Sequence, residues 1–215
     1  MAVVDQECGH GCQSVQPGVT EGNKPSKCLK LDTIDKAVVL EATGESCLTS
    51  VEQLILRGRG FKRFEKSCSS ELLGLTVLSL SNNSIRSLDN FEHLINLVEL
   101  NLNFNYITSL EGLSCLGLTR LFLSNNLLTS TDGLATFQRL HTICLFKNAI
   151  PDLPSALKHL RTLVRLRRLD LDGNPCSKAC GYKQRVLRSF PRLETLDSEH
   201  ITQLDLDLSK LYFEQ

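Results

Sequence analysis

Apolar residues recur along this chain in a pattern whose period changes within each unit. Leu75, Leu78 and Leu80 lead to Asn83 and Ile85, and the set returns 22 residues later as Leu97, Leu100, Leu102, Asn105 and Ile107. It returns after 21 as Leu118, Leu121, Leu123, Asn126 and Leu128, after 22 as Leu140, Ile143, Leu145, Asn148 and Ile150, and after 26 as Leu166, Leu169, Leu171 and Asn174. A weaker upstream copy, Val51, Leu54, Leu56, Arg59 and Phe61, has arginine in the asparagine position. Each Leu-x-Leu run has the two-residue period of a strand with one buried face. Beyond the asparagine the spacing becomes three or four, as in Leu88, Phe91, Leu94 and Leu97, which predicts a helical or 3₁₀ return. No single turn of such a coil can bury its own leucines, but stacked turns share one core, so the pattern predicts a solenoid. An amide both donates and accepts, so a stacked column of asparagines can satisfy the backbone groups left inside by tight turns.

The ends depart from the period. Leu31, Ile34, Val38 and Ala42 follow helical spacing, with Asp32 as N-cap and Gly44 as terminator, which predicts a capping helix within residues 28–47. Residues 1–27 hold Gly, Pro, Ser, Gln and Asn without periodicity and are expected to form a flexible tail. The return from Asp152 to Leu166 is four residues longer than the others, about one helical turn, so Leu153, Leu157, Leu160 and Leu163 predict a true α-helix. After Ile201, Leu204, Leu206 and Leu208 alternate with Asp205 and Asp207, which predicts a half-buried strand or extended segment in the tail 202–215.

These repeats resemble the leucine-rich repeat family, specifically its short 22-residue cytosolic class, typified by the regulatory subunit of protein phosphatase 1. The resemblance covers residues 48–197, with repeats over 48–173. Asn174-Pro175, Tyr182, Val186, Phe190-Pro191, Leu193 and Leu196-Asp197 are similar to the C-terminal capping motif that this subunit shares with outer-arm dynein light chain and the spliceosomal A-prime protein, which implies a cap over 174–201. The implied fold is an α/β solenoid of about six repeats, with a curved parallel sheet on the concave face and helical or 3₁₀ returns on the convex face. The implied function is recognition of another protein, in a cytoskeletal, ciliary or phosphatase-linked setting. The same scaffold serves several unrelated roles, so the site has to be argued from its own residues.

Strand side chains between the leucines should line the concave face. The candidates are Ile55, Arg57, Val77, Glu99, Asn101, Arg120, Phe122, Cys144, Phe146, Arg168, Asp170 and Asp172, with Phe104 and Lys147 at the rim. Phe122 and Phe146, with Phe104 and Cys144 beside them, place apolar surface where an isolated chain favours polar groups. Arg120 and Lys147 border it, and aromatic side chains with arginine are common interface anchors. The pattern predicts a protein-binding concave face on a chain that is monomeric when free.

Among 215 residues, 24 basic and 24 acidic side chains balance to zero and 41% are apolar, which excludes a globally basic nucleic-acid binder and a highly charged disordered chain. Charge is nevertheless uneven. Residues 156–192 carry ten Lys or Arg against Asp170 and Asp172, a local +8, and residues 193–215 carry six acids against Lys210, a local −5. A ribonucleoprotein component acting through this basic helix and cap is therefore the alternative function, although no aromatic RNA-binding motif accompanies it. No apolar run reaches the roughly 18 residues of a membrane span, so no membrane contact is expected. The acidic start and the nine cysteines, mostly at apolar-pattern positions, predict a reducing cytoplasm or nucleus.

Cys8, His10, Cys12 and Cys28 carry zinc-type donors, but their spacing matches no recognised finger, so no metal or cofactor is expected. There is no phosphate loop, nucleophile elbow or H-E-x-x-H motif. His93, His141, His159 and His200 fall in different repeats or the cap, with no expected carboxylate partner on the same surface, so no catalysis is expected.

Overall fold

The computed structural model describes residues 32–213. In chain order the elements are β1 (Thr33–Ile34), α1 (Lys36–Thr43), β2 (Gln53–Ile55), β3 (Arg63–Phe64), α2 (Lys66–Glu71), β4 (Val77–Ser79), β5 (Glu99–Asn101), β6 (Arg120–Phe122), β7 (Thr142–Cys144), α3 (Leu153–Leu160), β8 (Arg168–Asp170), α4 (Tyr182–Ser189), β9 (Thr195–Leu196), β10 (Glu199–His200) and α5 (Gln203–Leu211). One eight-stranded sheet runs β10-β9-β8-β7-β6-β5-β4-β2, with every pair parallel except β9 with β10. Its register is the sequence repeat itself: Leu78 faces Leu100, then Leu121, Ile143 and Leu169 follow in line. Each central strand residue is buried, and full burial of a leucine side chain stabilises by about 1.5–3 kcal/mol, so a register slip would forfeit that at every strand.

The returns are 3₁₀ turns at Phe91–His93 and Leu134–Thr136, entered through left-handed Asn90 (φ 70°) and Gly133 (φ 86°). Where the sequence allows more residues the return becomes the helix α3, capped by Asp152, whose carboxylate accepts from Ser155 N–H at 2.9 Å. Leu153, Ala156, Leu157 and Leu160 are its buried face.

The asparagines form the expected buried column, and each serves the turn before its own. Asn105 donates from Nδ2 to the carbonyls of Leu80 and Leu102, both at 3.0 Å, and its Oδ1 accepts from Ile85 N–H at 3.0 Å. Asn126, Asn148 and Asn174 repeat the geometry. Asn83 reaches back to Arg59 and Phe61 N–H, at 3.1 and 3.0 Å, so Arg59 is free to lie exposed in a glycine-flanked loop.

Three expectations at the ends are corrected. The N-cap of α1 is Asp35, whose carboxylate accepts from Val38 N–H at 3.0 Å, and not Asp32. Thr33–Ile34 instead pairs with β3, and Asp32 meets Lys62 at 3.3 Å, so the strand pairing moves the helix start past Ile34. The buried face shifts with it: Val39 is in the core and Ala42 is exposed, while Gly44 (φ 74°) ends the helix as expected. After Ile201 the chain forms helix α5 instead of a strand. Thr202 and Asp205 make a reciprocal capping box, and Asp205 also meets Lys183 of α4 at 2.8 Å. Two satisfied N-terminal donors and an ion pair outweigh a two-residue alternation that spans only five positions. On the helix, Leu204 and Leu208 point outward, 67% and 49% exposed.

Candidate functional site

The concave face divides along the stack. At its N-terminal end Ile55 is exposed and Val77 half-buried, while the Arg57 guanidinium lies beside the Asn82 side-chain amide, 2.9 Å from Nε. In the middle Glu99 and Arg120 close on each other at 2.6 Å, and Asn101 Oδ1 accepts from Asn103 N–H at 3.1 Å. These polar groups are paired within the chain, and an exposed ion pair of this kind contributes roughly 0–1 kcal/mol.

Toward the C-terminal end the surface hollows into a cavity of about 320 Å³ lined by Phe122, Thr142, Cys144, Arg168 and Asp170 from the strands. Thr195, Ser198 and His200 of the cap complete its wall. The floor is ordered by hydrogen bonds: Cys144 Sγ lies 2.9 Å from Ser124 Oγ and donates to Asp170 Oδ2 at 3.3 Å. Burial is the main cause that pushes the Cys144 thiol up, so it stays protonated and donates. Asp170 Oδ1 in turn accepts from Asp172 N–H at 3.2 Å. Thus Phe122, Cys144, Arg168 and Asp170 come together, Asp172 stands beside them, and Ile55, Arg57 and Val77 lie apart. The cap residues were not among the sequence candidates, although Thr195-Leu196 continues the strand alternation and could have signalled them.

The phenylalanines are staggered. Phe122 is level with Asn101 and Cys144, whereas Phe146 sits one turn on and two residues further along, with the Lys147 ammonium 5.1 Å from its ring centroid. Phe104, 51% exposed, occupies the left-handed region at φ 57°. The equivalent residues of the neighbouring turns are Asn82, Asn125, Lys147 and Gly173, all at positive φ. The turn geometry requires that conformation, which suits Gly and Asn and costs a side chain such as phenylalanine roughly 1–2 kcal/mol. Strain combined with exposure of an aromatic ring marks a position whose residue is not chosen for stability.

Two histidine expectations are corrected: His93 Nε2 lies 3.5 Å from Glu92 Oε1 beside it, and His159 finds a carboxylate across the repeats. His159 Nε2 lies 3.0 Å from Asp132 Oδ1, and its Nδ1 lies 3.2 Å from Thr131 Oγ1. This hydroxyl-imidazole-carboxylate row is assembled from different repeats, which no sequence spacing reveals. Thr131 is 1% exposed and its hydroxyl donates to Ala156 O at 3.1 Å, so no substrate reaches it, and the row ties the Leu134–Thr136 turn to α3.

Thiol chemistry is similarly local. Burial pushes the Cys68 and Cys115 thiols up to about 12 and Cys176 to about 11, while hydrogen bonds from the Ser50 and Thr49 hydroxyls bring Cys47 down to about 7. Cys8, His10, Cys12 and Cys28 lie outside the described residues, and among the described residues no three metal-type donors converge. Among the same residues no helix is long and apolar enough to cross a membrane.

A curved sheet of near-identical parallel strands, closed behind by short returns and threaded by an asparagine ladder, defines a leucine-rich repeat solenoid. The profile of the family described as Leucine Rich repeats (2 copies) matches residues 74–115. The chain is 30% identical over 161 residues to leucine-rich repeat-containing protein 51 of Macaca mulatta, spanning 71% of this chain and 72% of that protein, and it belongs to the leucine-rich repeat family. It is also 30% identical to dynein axonemal assembly factor 11 of Trypanosoma brucei brucei, over 75% of this chain and 36% of that longer protein. Among solved structures, the functional domain of InlJ from Listeria monocytogenes matches with a TM-score of 0.58 at 20% identity, covering 81% of this chain and 35% of that one, a likeness of fold alone.

Proposed function

We propose that this chain is a non-catalytic protein-binding module whose concave face holds a segment of another protein, with the Phe122 cavity as the anchoring point. The observation that carries this reading is the cavity itself: an aromatic wall, an ordered thiol-hydroxyl-carboxylate floor and the Arg168 guanidinium, open to solvent between the last strands and the cap. Such a mixture of apolar surface with a few oriented polar groups suits a partner's side chain. Phe104, held exposed at a strained position in the turn before that of Phe122, is a further apolar contact for a partner. The likeness to an axonemal dynein assembly factor supports an adaptor or subunit role in the cytoplasm with ciliary or cytoskeletal association.

The test is capture of partners from cell extract on the wild type and on Phe122→Asp/Phe146→Asp, at low and high salt. A partner lost with the variant and retained at high salt on the wild type supports the reading, because apolar contact is insensitive to screening. Loss of a central aromatic anchor weakens an interface about 30-fold or more. Capture that is indifferent to the variant and collapses with salt or ribonuclease overturns it in favour of ribonucleoprotein binding through the basic cap.

A further inference from the structure

The basic run of residues 156–192 does not stay together in the fold. Lys183 meets Asp205 at 2.8 Å and Glu199 at 3.8 Å, and Arg167 meets Glu194 at 3.5 Å. Arg168 turns to the concave cavity. What remains gathered is Arg161, Arg185 and Arg188, which line a cavity of about 480 Å³ between α3, α4 and the ring of Phe213. Leu153, Pro154 and Leu157 supply its apolar floor.

Two of the three guanidiniums are held in place by side-chain contacts. Arg161 donates from Nε and Nη2 to Ser189 Oγ at 3.1 and 2.9 Å, leaving its other N–H groups for a ligand. Arg188 stacks on the Phe213 ring, 4.3 Å from the centroid, and stands one helical turn from Arg185 on the same face of α4. Asp152, the acid at the start of α3, accepts from Ser155 N–H and lies near enough to Arg185 for their charges to interact, but it does not line the cavity.

The hollow continues on both sides. A cavity of about 470 Å³ shares Arg188 and Phe213 and adds Lys210 and Leu206, and one of about 340 Å³ shares Arg161 and adds Arg192 and Val164. Among the described residues five cationic side chains and no carboxylate line the three hollows, although Lys210 at one end is paired with Asp207 at 3.2 Å. We propose that this groove between α3, α4 and α5 is a second binding site, on the side of the solenoid away from the strands, for an acidic peptide segment of a partner protein that carries carboxylates next to large apolar side chains.

The chemistry favours a peptide over a nucleic-acid strand. A nucleic-acid backbone needs a track of cations along its length. Here Lys183 and Arg167 of the run are drawn into ion pairs and Arg168 lines the concave cavity. The convergent guanidiniums match the planar geometry of carboxylates, and the leucine and phenylalanine walls call for apolar side chains beside them. The site does not depend on the concave reading, since it shares no residue with the Phe122 cavity.

The experiment follows the arginine Nε–H resonances of the isotopically labelled full chain. The probes are a capped pentapeptide alternating glutamate with phenylalanine and leucine, the same peptide with glutamine for glutamate, and single-stranded oligouridylate. We expect saturable shifts at Arg161, Arg185 and Arg188 with the glutamate peptide, and binding about tenfold or more weaker with the glutamine peptide. Arg185→Glu/Arg188→Glu should abolish the shifts, and Phe122→Asp should leave them unchanged. Equal binding of both peptides, absence of saturable shifts, or tighter binding of oligouridylate at the same arginines overturns the proposal. The peptide comparison uses the unmodified chain, so it decides the matter whether or not the double variant folds.

Discussion

The two ends of the solenoid are closed by different chemistry. At the front, the turn Arg57–Phe61 has no asparagine, and Gly58 and Gly60 carry its positive φ angles. At the back, Asp197 (φ 50°) accepts from Leu171 and Asp172 N–H at 2.8 and 3.0 Å and from the Tyr182 hydroxyl at 3.2 Å. The asymmetry follows from the direction of the ladder. Every asparagine serves the turn before it, so the first turn is served by Asn83 and has nothing to serve. At the last strand, the Leu171 amide, whose counterpart Leu145 N–H donates to the next strand's Asp170 O at 2.8 Å, is taken instead by the Asp197 carboxylate of the cap. Burial, the largest influence, raises the pKa of Asp197 from its ordinary value, so placing the carboxylate here works against its ionisation.

Mid-ladder damage should be the most severe. Asn126→Ala leaves Ile107 N–H and the carbonyls of Leu102 and Leu123 without their partner, and should cost about 3 kcal/mol or more in urea unfolding, at roughly 1–3 kcal/mol per buried orphan group. A loss under about 1 kcal/mol would mean that water replaces the ladder. Asp197→Ala should cost less, about 1–3 kcal/mol, because the donors it leaves unpaired sit at a partly open end. Phe104→Asn should go the other way, raising stability by about 1 kcal/mol while reducing partner capture; a destabilised variant would show that the ring packs and is not strained. Arg59→Asn should be nearly neutral, within about 0.5 kcal/mol, and a large gain would show that the first turn does want its own asparagine.

The comparison also has a pH signature. A native carboxyl with a raised pKa binds its proton more tightly than the unfolded chain does, so its contribution is full at acid pH and is lost as pH rises through the raised value. Relative to wild type, Asp197→Asn should therefore gain stability from acid to neutral pH, read as the difference in urea midpoints. A difference that is flat with pH would mean that the Tyr182 and backbone donors fully offset burial. On the cysteines, limited alkylation at neutral pH should reach Cys47 before Cys68, Cys115 and Cys176, checked by peptide mass.

What the amino-acid order determined by itself is everything that depends on local period. The offsets between Leu78, Leu100, Leu121, Ile143 and Leu169 are the strand register, and the asparagine column and the extra turn of α3 follow from the same counting. Those features are legible because each repeat meets a near-copy of itself, so a residue's neighbour is known once the period is known. Tertiary structure decided the rest, where the neighbour is not a copy. The pairing of Thr33–Ile34 with Arg63–Phe64 chose Asp35 over Asp32 as cap, and the Lys183–Asp205 contact accompanied a helix where the alternation read as a strand. The caps also supplied Thr195, Ser198 and His200 to the concave cavity and drew Arg161, Arg185 and Arg188 together from a dispersed basic run. Contacts between unlike segments far apart in the chain leave no periodic trace, because they depend on where packing places each element and not on the spacing within it.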